Sequence, residues 1–590
     1  MNNNFKVIVV DIGTGKSSLE YFDSRREWLG GSGLAAGLFS HFGLPDEDAF
    51  HPDQPLILAI GPLTGYFPLM SKTVLGFMSP YNNQYSESHA GGRSALSLKF
   101  AGYDALVIRG RAKKPVCIGL GSREVRIQDV HFLQGMDIFK TGKKLRNLKP
   151  ANPGHRSILR IGPAGENLVR FACINVDTYR HFGRMGGGAA MGAKNLKGII
   201  LSGDSHLDLD ADIRKEYTQV YNDIYSTIVQ SGAMRKYHDL GTPENIIPLN
   251  ELQALPWRNL QSTYDPDVEG ISGEKFGKDL LLRQVACAGC PVGCIHIGLL
   301  RERFAEEHEY IYRQVSYDYE PIFGVGTMLG VKTGPGVLTL LEDVEKTGLD
   351  AISAGVALAW ATEALQKKII TRDLTLADLQ FGDVQSYREG LAHLTQQPNE
   401  FYRTLALGTM KAAEKFGGED FACVLGQEMA GYATGENYFV SQALGFRHSH
   451  LDTGAYGLDQ EKDSRNLDKS IKYMQDQEDY RILMCSMVGC LFARKAYPKN
   501  NILRALNSLG YEYNESELDE CVEKIKYHRW ALKFKTGFRP EDIKIPSRYQ
   551  EVTTWKGRID ADYMHNLKQE YQKVLQDMAR KHREKSGEAP

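Results

Sequence analysis

Hydrophobic residues in the first 207 positions occur in short runs that glycine, proline and aspartate turns separate. β-Branched and other apolar residues fill these runs, which is typical of strands: FKVIVVDIG, PLILAIG, KTVLGFMS, DALVIRG, PVCIGLG, REVRIQD and GIILSGD. One helical segment, WLGGSGLAAGLFSHFGL, interrupts them. The pattern predicts a sheet-built domain over residues 1–207.

After residue 207 the apolar residues recur three and four positions apart, the spacing of a helix that buries one face. The helical segments are IRKEYTQVYNDIYSTIVQSGAMRKYHDLG, LTLLEDVEKTG, DAISAGVALAWATEALQKK, NEFYRTLALGTMKAAEKFG and SELDECVEKIKYHRWALKFK. They predict two mainly α-helical domains, 208–415 and 416–590, and an α+β fold for the whole chain. The final stretch, QKVLQDMARKHREKSGEAP, is expected to begin as a polar helix and to end as a disordered tail.

Composition and charge narrow the class of protein. With 42% hydrophobic and 24% charged residues over 590 positions, the chain is typical of a globular protein of several domains. The net charge of -2 provides no field that gathers nucleic acid, and no apolar run approaches the ~20 residues that span a bilayer. Nine cysteines, an odd number, suit a reducing compartment better than a disulfide framework. We expect a cytoplasmic protein that binds neither nucleic acid nor membrane.

The segment CAGCPVGC, residues 287–294, has the spacing of a metal-binding loop. Its thiols belong to Cys287, Cys290 and Cys294. Three thiolates can converge here on zinc or on an iron–sulfur cluster. Zinc needs a fourth ligand close by, for which His296 is the local candidate, whereas a cluster needs a distant thiolate such as Cys485 or Cys490 in MCSMVGCLFAR. The other cysteines are predicted to be buried structural thiols: Cys117, Cys173, Cys423 and Cys521.

Two glycine-rich stretches indicate anion binding. In RFACINVDTYRHFGRMGGGAAMGAKNLKGIIL, Arg180 and Arg184 precede three glycines, whose backbone amides can approach phosphate oxygens while cations offset the charge. The stretch lacks the spacing of a P-loop or of a dinucleotide fingerprint, and a tightly packed turn before a strand is the alternative. The second stretch, SESHAGGRSALSLKFAGYDALVIRG, combines two glycines with polar neighbours: Ser88, His89, Gly91, Gly92 and Arg93.

Together these segments resemble the tungsten-dependent aldehyde:ferredoxin oxidoreductase family over essentially the whole chain. The similarity is densest at GGSGLAAGLF, SHAGGRSALSLKFAGYDALVIRGRA, IGPAGENLVRFACINVDTYRHFGRMGGGAAMGAKNLKGII, CAGCPVGC and TGLDAIS. The resemblance implies a sheet-built base on which two helical domains close. It also implies tungsten, or molybdenum, held by the dithiolenes of two pyranopterins, with a [4Fe-4S] cluster alongside.

The resemblance also implies roles for individual residues. The cluster ligands are Cys287, Cys290, Cys294 and, from a segment near the C-terminus, Cys490. The family's Ser-Asn-x-Gly-Gly turn, which helps hold Mg²⁺ between the pterin phosphates, falls on Ser88, His89, Gly91 and Gly92, with histidine in place of asparagine. Its Arg-x-x-Gly-Arg-x-Gly turn, which is expected to meet phosphate and pterin, falls on Arg180, Gly183, Arg184 and Gly186.

Two further family motifs, of the form Asp-x-x-Gly-Leu-Asp/Cys, contact the pterins. EKTGLD keeps the second acid, Asp350, whereas Glu345 replaces the first with a side chain one methylene longer. In CSMVGC the leading acid is replaced by Cys485, and Leu491 after the motif is a further candidate contact. One pterin therefore loses a carboxylate partner, which is expected to shift the potential of the metal.

Catalytic residues are implied by the same resemblance. Glu320, in DYEPIFGVGTMLG, occupies the place of a glutamate near the metal and is predicted to handle a proton; a structural ion-paired acid is the alternative. The family's histidine is missing, since Gly457 stands at its place, and the candidates to replace it are His448, His450 and Tyr456. Candidates to line the substrate channel are Glu251, Trp257 and Arg258.

Three functional hypotheses follow. The first is oxidation of aldehydes to carboxylic acids with electrons passed to ferredoxin or to a partner subunit, in a homo- or hetero-oligomer. The second is a low-potential reductase subunit that resembles the benzoyl-CoA reductase branch of the family, with an acyl substrate. The third, an iron–sulfur or zinc scaffold without catalysis, is disfavoured because the pterin turns are retained.

Overall fold

A computed structural model describes residues 4–148, 154–304, 306 and 308–586. Twelve strands form the N-terminal part of the chain: β1 Phe5–Asp11, β2 Lys16–Phe22, β3 Leu56–Ala59, β4 Thr73–Ser79, β5 Gln84–Ala90, β6 Ala105–Arg109, β7 Val116–Gly121, β8 Val125–Asp129, β9 His155–Arg160, β10 Ile174–Val176, β11 Arg180–Phe182 and β12 Leu196–Gly203. They pair in two six-stranded sheets, in the orders β2-β1-β6-β3-β4-β5 and β11-β10-β9-β12-β7-β8. The predicted sheet-built N-terminal region is confirmed.

The two sheets are mostly antiparallel, with one parallel pair in each, β1 with β6 and β7 with β12. Apolar residues from both sheets, such as Leu106 in β6 and Leu201 in β12, share one buried cluster. All the strands predicted from hydrophobic runs are present. Five others, β2, β5, β9, β10 and β11, were not predicted. Polar residues fill most of them, as in QYSESHA of β5, and β10 is only three residues long.

The prediction of a single helix in this region is wrong. Six helices occur between the strands: α1 Arg25–Trp28, α2 Gly31–Phe42, α3 Ser94–Phe100, α4 Ile138–Leu145, α5 Pro163–Glu166 and α6 Gly187–Ala193. The predicted segment corresponds to α1 and α2. The others escaped notice because they are short, and α6, GGAAMGA, consists largely of small residues whose helix depends on tertiary packing.

The rest of the chain is mainly helical, as predicted. Its helices are α7 Arg214–Gln230, α8 Gly232–Asp239, α9 Ile246–Glu251, α10 Gly273–Asp279, α11 Tyr319–Val325, α12 Gly334–Thr347, α13 Ala351–Gln366, α14 Arg372–Thr375, α15 Val384–Gln396, α16 Glu400–Leu405, α17 Thr409–Phe416, α18 Glu436–Ala443, α19 Leu467–Ser486, α20 Lys499–Asn507, α21 Glu515–Lys535 and α22 Ala561–Ser586. Helix α13 is buried almost all round, and Asp350 caps its first turn by accepting from two backbone amides.

Two small sheets interrupt the helical part. The larger, antiparallel and in the order β13-β14-β15, consists of β13 Leu281–Val285, β14 Ile295–Arg303 and β15 Tyr310–Tyr317; the smaller consists of β16 Thr553–Thr554 and β17 Gly557–Arg558. Sequence reasoning missed both. The larger sheet matters for function, because the loop that joins β13 to β14 carries the three clustered cysteines.

Four chain segments converge where the sheets meet the helices. The end of β5 leads into Gly91 and Gly92, and β10 and β11 form a hairpin beside it, since a Cβ at Gly92 would lie 3.2 Å from Val176 Cγ1. The β13–β14 loop and the end of α19 complete the set. No helix in the described part of the chain is long and apolar enough to cross a bilayer. The domain boundaries at 207 and 415 stay predictions, and the last four residues of the predicted tail lie outside the described residues.

Candidate functional site

A cavity of about 320 Å³ lies where these four segments meet. Fourteen of the sequence-predicted residues line it: Ser88, His89, Gly91, Arg180, Gly183, Arg184, Cys287, Cys290, Cys294, Glu320, His450, Cys485, Cys490 and Leu491. They come from positions that span some 400 residues of sequence, so the fold brings together what the motifs only suggested.

Backbone hydrogen bonds fix the distant fourth cysteine beside the other three. The amide of Leu69 donates to the carbonyl of Gly289, and the amide of Cys490 donates to the carbonyl of Leu69. The amide of Ala288 donates to Gly92, which ties the cysteine loop to the β5 turn as well. Leu69 has a left-handed conformation, with φ of 64°, that lets it serve both cysteine segments.

Burial disfavours ionisation of two of the four thiols. Burial raises the pKa of Cys290 to about 11, and burial likewise raises the pKa of Cys294. A bound metal ion or iron–sulfur cluster supplies the positive charge that stabilises such thiols as thiolates. All four thiols line this cavity, whereas His296, the local candidate for a zinc ligand, does not. The thiols therefore fit a cluster better than the zinc alternative.

Two arginine side chains face the same cavity. Burial opposes the charge of Arg180, but the neighbouring Cys287 and Cys294 thiols raise its pKa. Its side chain makes no ion pair with the described residues. Nε and Nη1 of Arg184 are buried without a hydrogen-bond acceptor in the described structure. The phosphate and ring oxygens of a pterin could accept hydrogen bonds from these donors.

Glycine is required at the turn beside the cluster loop. A Cβ at Gly91 would come 2.8 Å from Sγ of Cys287, so any side chain there would displace the thiol. At Gly186, with φ of 79°, a Cβ would come 2.1 Å from the carbonyl oxygen of Arg170. Gly92 and Gly186 shape the turns without lining the cavity themselves.

A second cavity of about 210 Å³ adjoins the first and shares Arg180, His181, Gly183 and Arg184 with it. The predicted pterin contacts Glu345 and Asp350 line this cavity and not the first one. Nε2 of His181 lies 3.0 Å from Oε1 of Glu345, and Nε of Arg184 lies 3.4 Å from Oδ2 of Asp350. Oε2 of Glu345 is buried without a partner in the described structure, which leaves it available to a ligand.

Two of the departures from the family motifs meet in the first cavity. His89, which replaces asparagine, hydrogen-bonds with Cys485, which replaces the acid. Burial raises the pKa of Cys485, but His89 and Arg447 outweigh it and hold the pKa below the ordinary value of a thiol. His89 also lies 3.2 Å from Glu87, whose carboxylate is paired with Arg529 at 2.7 Å. The thiol therefore occupies a cationic position suited to a negative group.

The predicted catalytic glutamate sits in a hydrogen-bonded trio. Nε2 of His450 lies 3.2 Å from Oε1 of Glu320, and the hydroxyl of Tyr432 donates to the same oxygen at 2.9 Å. Burial alone would raise the pKa of Glu320, but these two bonds lower it, so the carboxylate is ionised at neutral pH. Nδ1 of His450 is buried without a partner in the described part of the chain. Tyr456 stacks on Tyr432 at 4.7 Å.

Other catalytic and channel candidates lie away from the cavity. His448 is 1% exposed and its Nδ1 bonds with the carbonyl of Ala443. Trp257 is fully buried and donates to Asn250, and Arg258 pairs with Asp265 at 2.8 Å. Neither these two nor Glu251 lines the first cavity, so a place in a substrate channel stays a prediction for them.

Sequence reasoning missed several residues of the site. Asp318 lines both cavities, and burial together with the charge of Glu320 raises its pKa to about 7. Arg447 and Lys72 line the first cavity, and Tyr432 bonds to Glu320. Asp318 is the first residue of DYEPIFGVGTMLG, two positions before Glu320, and Arg447 directly precedes His448. A second acid or a cation beside a candidate catalytic residue is the signal that the sequence offers.

Two family models match the chain. The model of the aldehyde ferredoxin oxidoreductase N-terminal domain matches residues 7–203, and the model of domains 2 and 3 of that enzyme matches residues 219–578. The chain is 30% identical over 582 residues to the tungsten-containing aldehyde ferredoxin oxidoreductase of Pyrococcus furiosus, covering 92% of this chain and 91% of that one. Its identity to the enzyme of the same name from Thermococcus kodakarensis is 29% over 578 residues, covering 92% and 90%.

Two further similarities widen the range of activities. The chain is 32% identical over 412 residues to the WOR-like subunit of an aliphatic sulfonate oxidoreductase of Pyrococcus furiosus, covering 67% of this chain and 64% of that one. A solved active-site complex, BamBC of benzoyl-coenzyme A reductase with 1,5-dienoyl-CoA, has the same fold, with a TM-score of 0.79, 20% identity and coverage of 97% and 95%. Because the family models together match most of the chain, the protein is an enzyme of the aldehyde ferredoxin oxidoreductase family.

Proposed function

We propose that the protein is a tungstopterin iron–sulfur oxidoreductase that oxidises aldehydes to carboxylic acids and passes the electrons to ferredoxin or to a partner subunit. One observation carries the proposal: four thiols and the Glu320–His450 pair line the same cavity. Oxidation of R-CHO with water to R-COOH releases two protons and two electrons. A proton-accepting pair and an electron-accepting cluster are the components that this reaction needs.

The chain supplies donors for each cofactor. Four thiols fit a [4Fe-4S] cluster, and the guanidinium groups of Arg180 and Arg184 fit the anionic pterins. The turn that begins at Ser88 is the proposed place of Mg²⁺ between the pterin phosphates. When bound, the tungstopterin supplies two-electron chemistry, and the cluster carries the electrons away one at a time. Tungsten is favoured over molybdenum by the names of the relatives.

The protein's own groups hold and move the protons. The Glu320 carboxylate accepts a proton from water or from the aldehyde hydrate, while Tyr432 donates to Oε1 and fixes its orientation. His450 contacts the same oxygen and has Nδ1 without a partner among the described residues, so it can pass the proton on. Asp318, with its pKa raised to about 7, changes charge near neutral pH and is the next acceptor in the cavity.

The test is aldehyde-dependent reduction of a viologen dye by anaerobically purified protein. We expect reduction with simple aldehydes, and we expect Glu320→Gln to slow it by about 10²- to 10⁴-fold while iron and tungsten contents stay unchanged. Glu269→Gln is the matched control, because Glu269 is exposed and does not line the cavity. Inertness of the wild type to every aldehyde, or equal activity of Glu320→Gln and wild type, contradicts the proposal.

A reductase of acyl-CoA thioesters is the second candidate. The fold similarity to the benzoyl-coenzyme A reductase complex along almost the whole chain favours it. So does the Cys485 thiol at a position where the resemblance implies an acid, because a changed hydrogen-bonding pattern alters the potential of a bound metal. Inertness to aldehydes combined with saturable binding of an acyl-CoA selects this candidate over the first. A low-potential reductase also needs a partner subunit as electron donor, whereas aldehyde oxidation needs one as acceptor.

We place the protein in the cytoplasm in both cases. All nine cysteines are free thiols, and those of the cluster site have to stay reduced in order to bind iron. A homo- or hetero-oligomer that includes the electron-transfer partner is part of the proposal.

A further inference from the structure

A third cavity, of about 400 Å³, lies on the N-terminal domain and shares no lining residue with the two cofactor cavities. It lies between helix α4 and strand β9, and the β10–β11 hairpin closes one side. Its charged lining residues are Arg93, Lys143, Arg146, Arg156, Arg160 and Asp177. Five cations thus face one carboxylate in a protein whose net charge is -2.

The single carboxylate is already engaged by Arg93 and by two groups of β9. Oδ1 of Asp177 accepts from the Ser157 hydroxyl and from the amide of Ile158, and Oδ2 accepts from the amide and Nε of Arg93. Lys143, Arg146 and Arg160 have no carboxylate partner among the described residues. Burial and the charge of Arg146 both lower the pKa of Arg156, which is the effect of crowded cations. The cavity therefore has an excess of positive charge that the protein does not neutralise.

Arg160 forms the floor of the cavity, and burial and backbone hydrogen bonds hold its side chain in place. Its side chain is 3% exposed, Nε donates to the carbonyl of Ile138, and Nη1 donates to the carbonyl of Asp177. Nη2 has no acceptor among the described residues. Helix α4 has glycine where the guanidinium passes, since a Cβ at Gly142 would lie 2.6 Å from Nε of Arg160. The buried guanidinium is thus held in place with one donor group free.

We propose that this cavity binds an organic diphosphate. Three unpaired cations match the charge of a diphosphate better than that of a carboxylate, and arginine forks suit phosphate oxygens. Phe139 on α4 and Ile158 on β9 provide apolar surface for the organic part of the ligand. The buried floor residue favours a small ligand over an acidic protein, because the carboxylates of a protein surface do not reach into a concave site.

Calorimetric titration of the cofactor-loaded protein with inorganic pyrophosphate, without added magnesium, tests the site. We expect saturable binding of about one pyrophosphate per chain that weakens with salt, and much weaker binding of sulfate. The rim variant Lys143→Glu/Arg146→Glu is expected to weaken binding at least tenfold, since each charge-assisted bond is worth roughly that factor. It spares Arg160, whose bonds to backbone carbonyls support the fold.

The matched control is Lys113→Glu/Lys114→Glu, which makes the same charge change at two exposed positions of the same domain outside the cavity. It is expected to bind pyrophosphate within about twofold of the wild type. Absence of binding, equal binding of sulfate, or equal weakening in both double variants overturns the proposal. So does a result in which the rim variant loses affinity for reduced ferredoxin while the wild type ignores pyrophosphate. Dye reduction is not part of this test, so its outcome is independent of the oxidoreductase activity.

Discussion

Two turns of similar shape frame the cofactor cavities, and their side chains differ. The first turn, residues 345–350, begins in the last residues of α12, and the second turn, residues 485–490, begins in the last residues of α19. At the fourth position of each the backbone is left-handed, with φ of 78° at Gly348 and 55° at Val488. A histidine contacts the first position of each turn, His181 at Glu345 and His89 at Cys485.

Equivalent glycines support the two turns from the sheets. Ile-Gly-Pro follows β3 and follows β9, and the glycine of each repeat packs against one turn. A Cβ at Gly162 would lie 2.3 Å from the carbonyl oxygen of Thr347, and a Cβ at Gly61 would lie 2.7 Å from that of Met487. The close packing preserves the backbone, so side chains at the first and last positions can change. Carboxylates occupy both in the first turn, and thiols occupy both in the second.

Substitution of the last residue of each turn is expected to show the largest difference between the two turns. Cys490→Ser removes a proposed cluster ligand, so we expect the protein to lose cluster iron. We expect dye reduction to fall by more than about 100-fold, the upper end of the loss caused by replacing a residue that only supports a metal ligand. Asp350→Asn, at the same place in the first turn, is expected to keep the iron, because Asp350 accepts backbone hydrogen bonds at the start of α13. Iron analysis and the visible spectrum measure both.

Cys521→Ser is the matched control for thiol loss, since Cys521 is half-buried and lies outside the cavity. It is expected to keep the full iron content. An unchanged iron content in Cys490→Ser would contradict the assignment of Cys490 as a cluster ligand. The last positions of the two turns would then not differ in function.

Removal of the left-handed glycine tests the shared backbone. Gly348→Ala is expected to lower the free energy of unfolding by about 1–2 kcal/mol, because an L-residue is strained there and its Cβ would lie 3.1 Å from the amide nitrogen of Gly162. The first transition in a urea denaturation curve measures this change in the free energy of unfolding. Gly232→Ala, where a Cβ meets nothing within 4 Å and φ is not left-handed, is the control and is expected to change stability by less than about 0.5 kcal/mol. Equal effects of the two substitutions would contradict the role of the turn.

Restoring the carboxylate makes the second turn resemble the first. Cys485→Asp is expected to lower the potential of the bound metal by about 40 mV, the equivalent of one hydrogen bond of about 1 kcal/mol. The pKa of Cys485 is lowered from 9.0, so the thiol becomes a thiolate as the pH rises through a value below 9.0. The difference between variant and wild type should therefore be largest at low pH and shrink as the pH rises.

A potentiometric titration at two pH values measures this difference. Cys521→Asp, a charge of the same kind outside the cavity, is expected to leave the potential unchanged at both pH values. A difference in potential that does not depend on pH would contradict the assignment of a titrating thiol.

Shortening the acid of the first turn is expected to have the smallest effect. Glu345→Asp restores the family's side chain and moves the carboxylate away from His181, a partly exposed pair worth about 0.5 kcal/mol. The expected shift in potential is below about 20 mV, at the same cofactor content. A shift larger than that of Cys485→Asp would mean that the first turn, and not the second, sets the potential.

The sequence predicted the elements that depend on local pattern. Apolar runs predicted the strands, and the short Cys287–Cys294 spacing predicted the metal loop; polar β5 and the small-residue helix α6 did not show such patterns. The choice between His448 and His450 depends on tertiary structure, because Nδ1 of His448 bonds with the carbonyl of Ala443, whereas Nε2 of His450 lies 3.2 Å from Oε1 of Glu320. The contact between His89 and Cys485 could not be predicted, because the two residues are far apart in the sequence. Each differs from the family motif, but neither difference alone indicates the other.

Metal and pterin analysis of anaerobically purified wild-type protein tests the central claim most directly. The account predicts about four iron and one tungsten per chain, extractable pterin, and the electron paramagnetic resonance signal of a reduced [4Fe-4S] cluster after dithionite treatment. A folded protein that is colourless and contains neither iron nor pterin would contradict it.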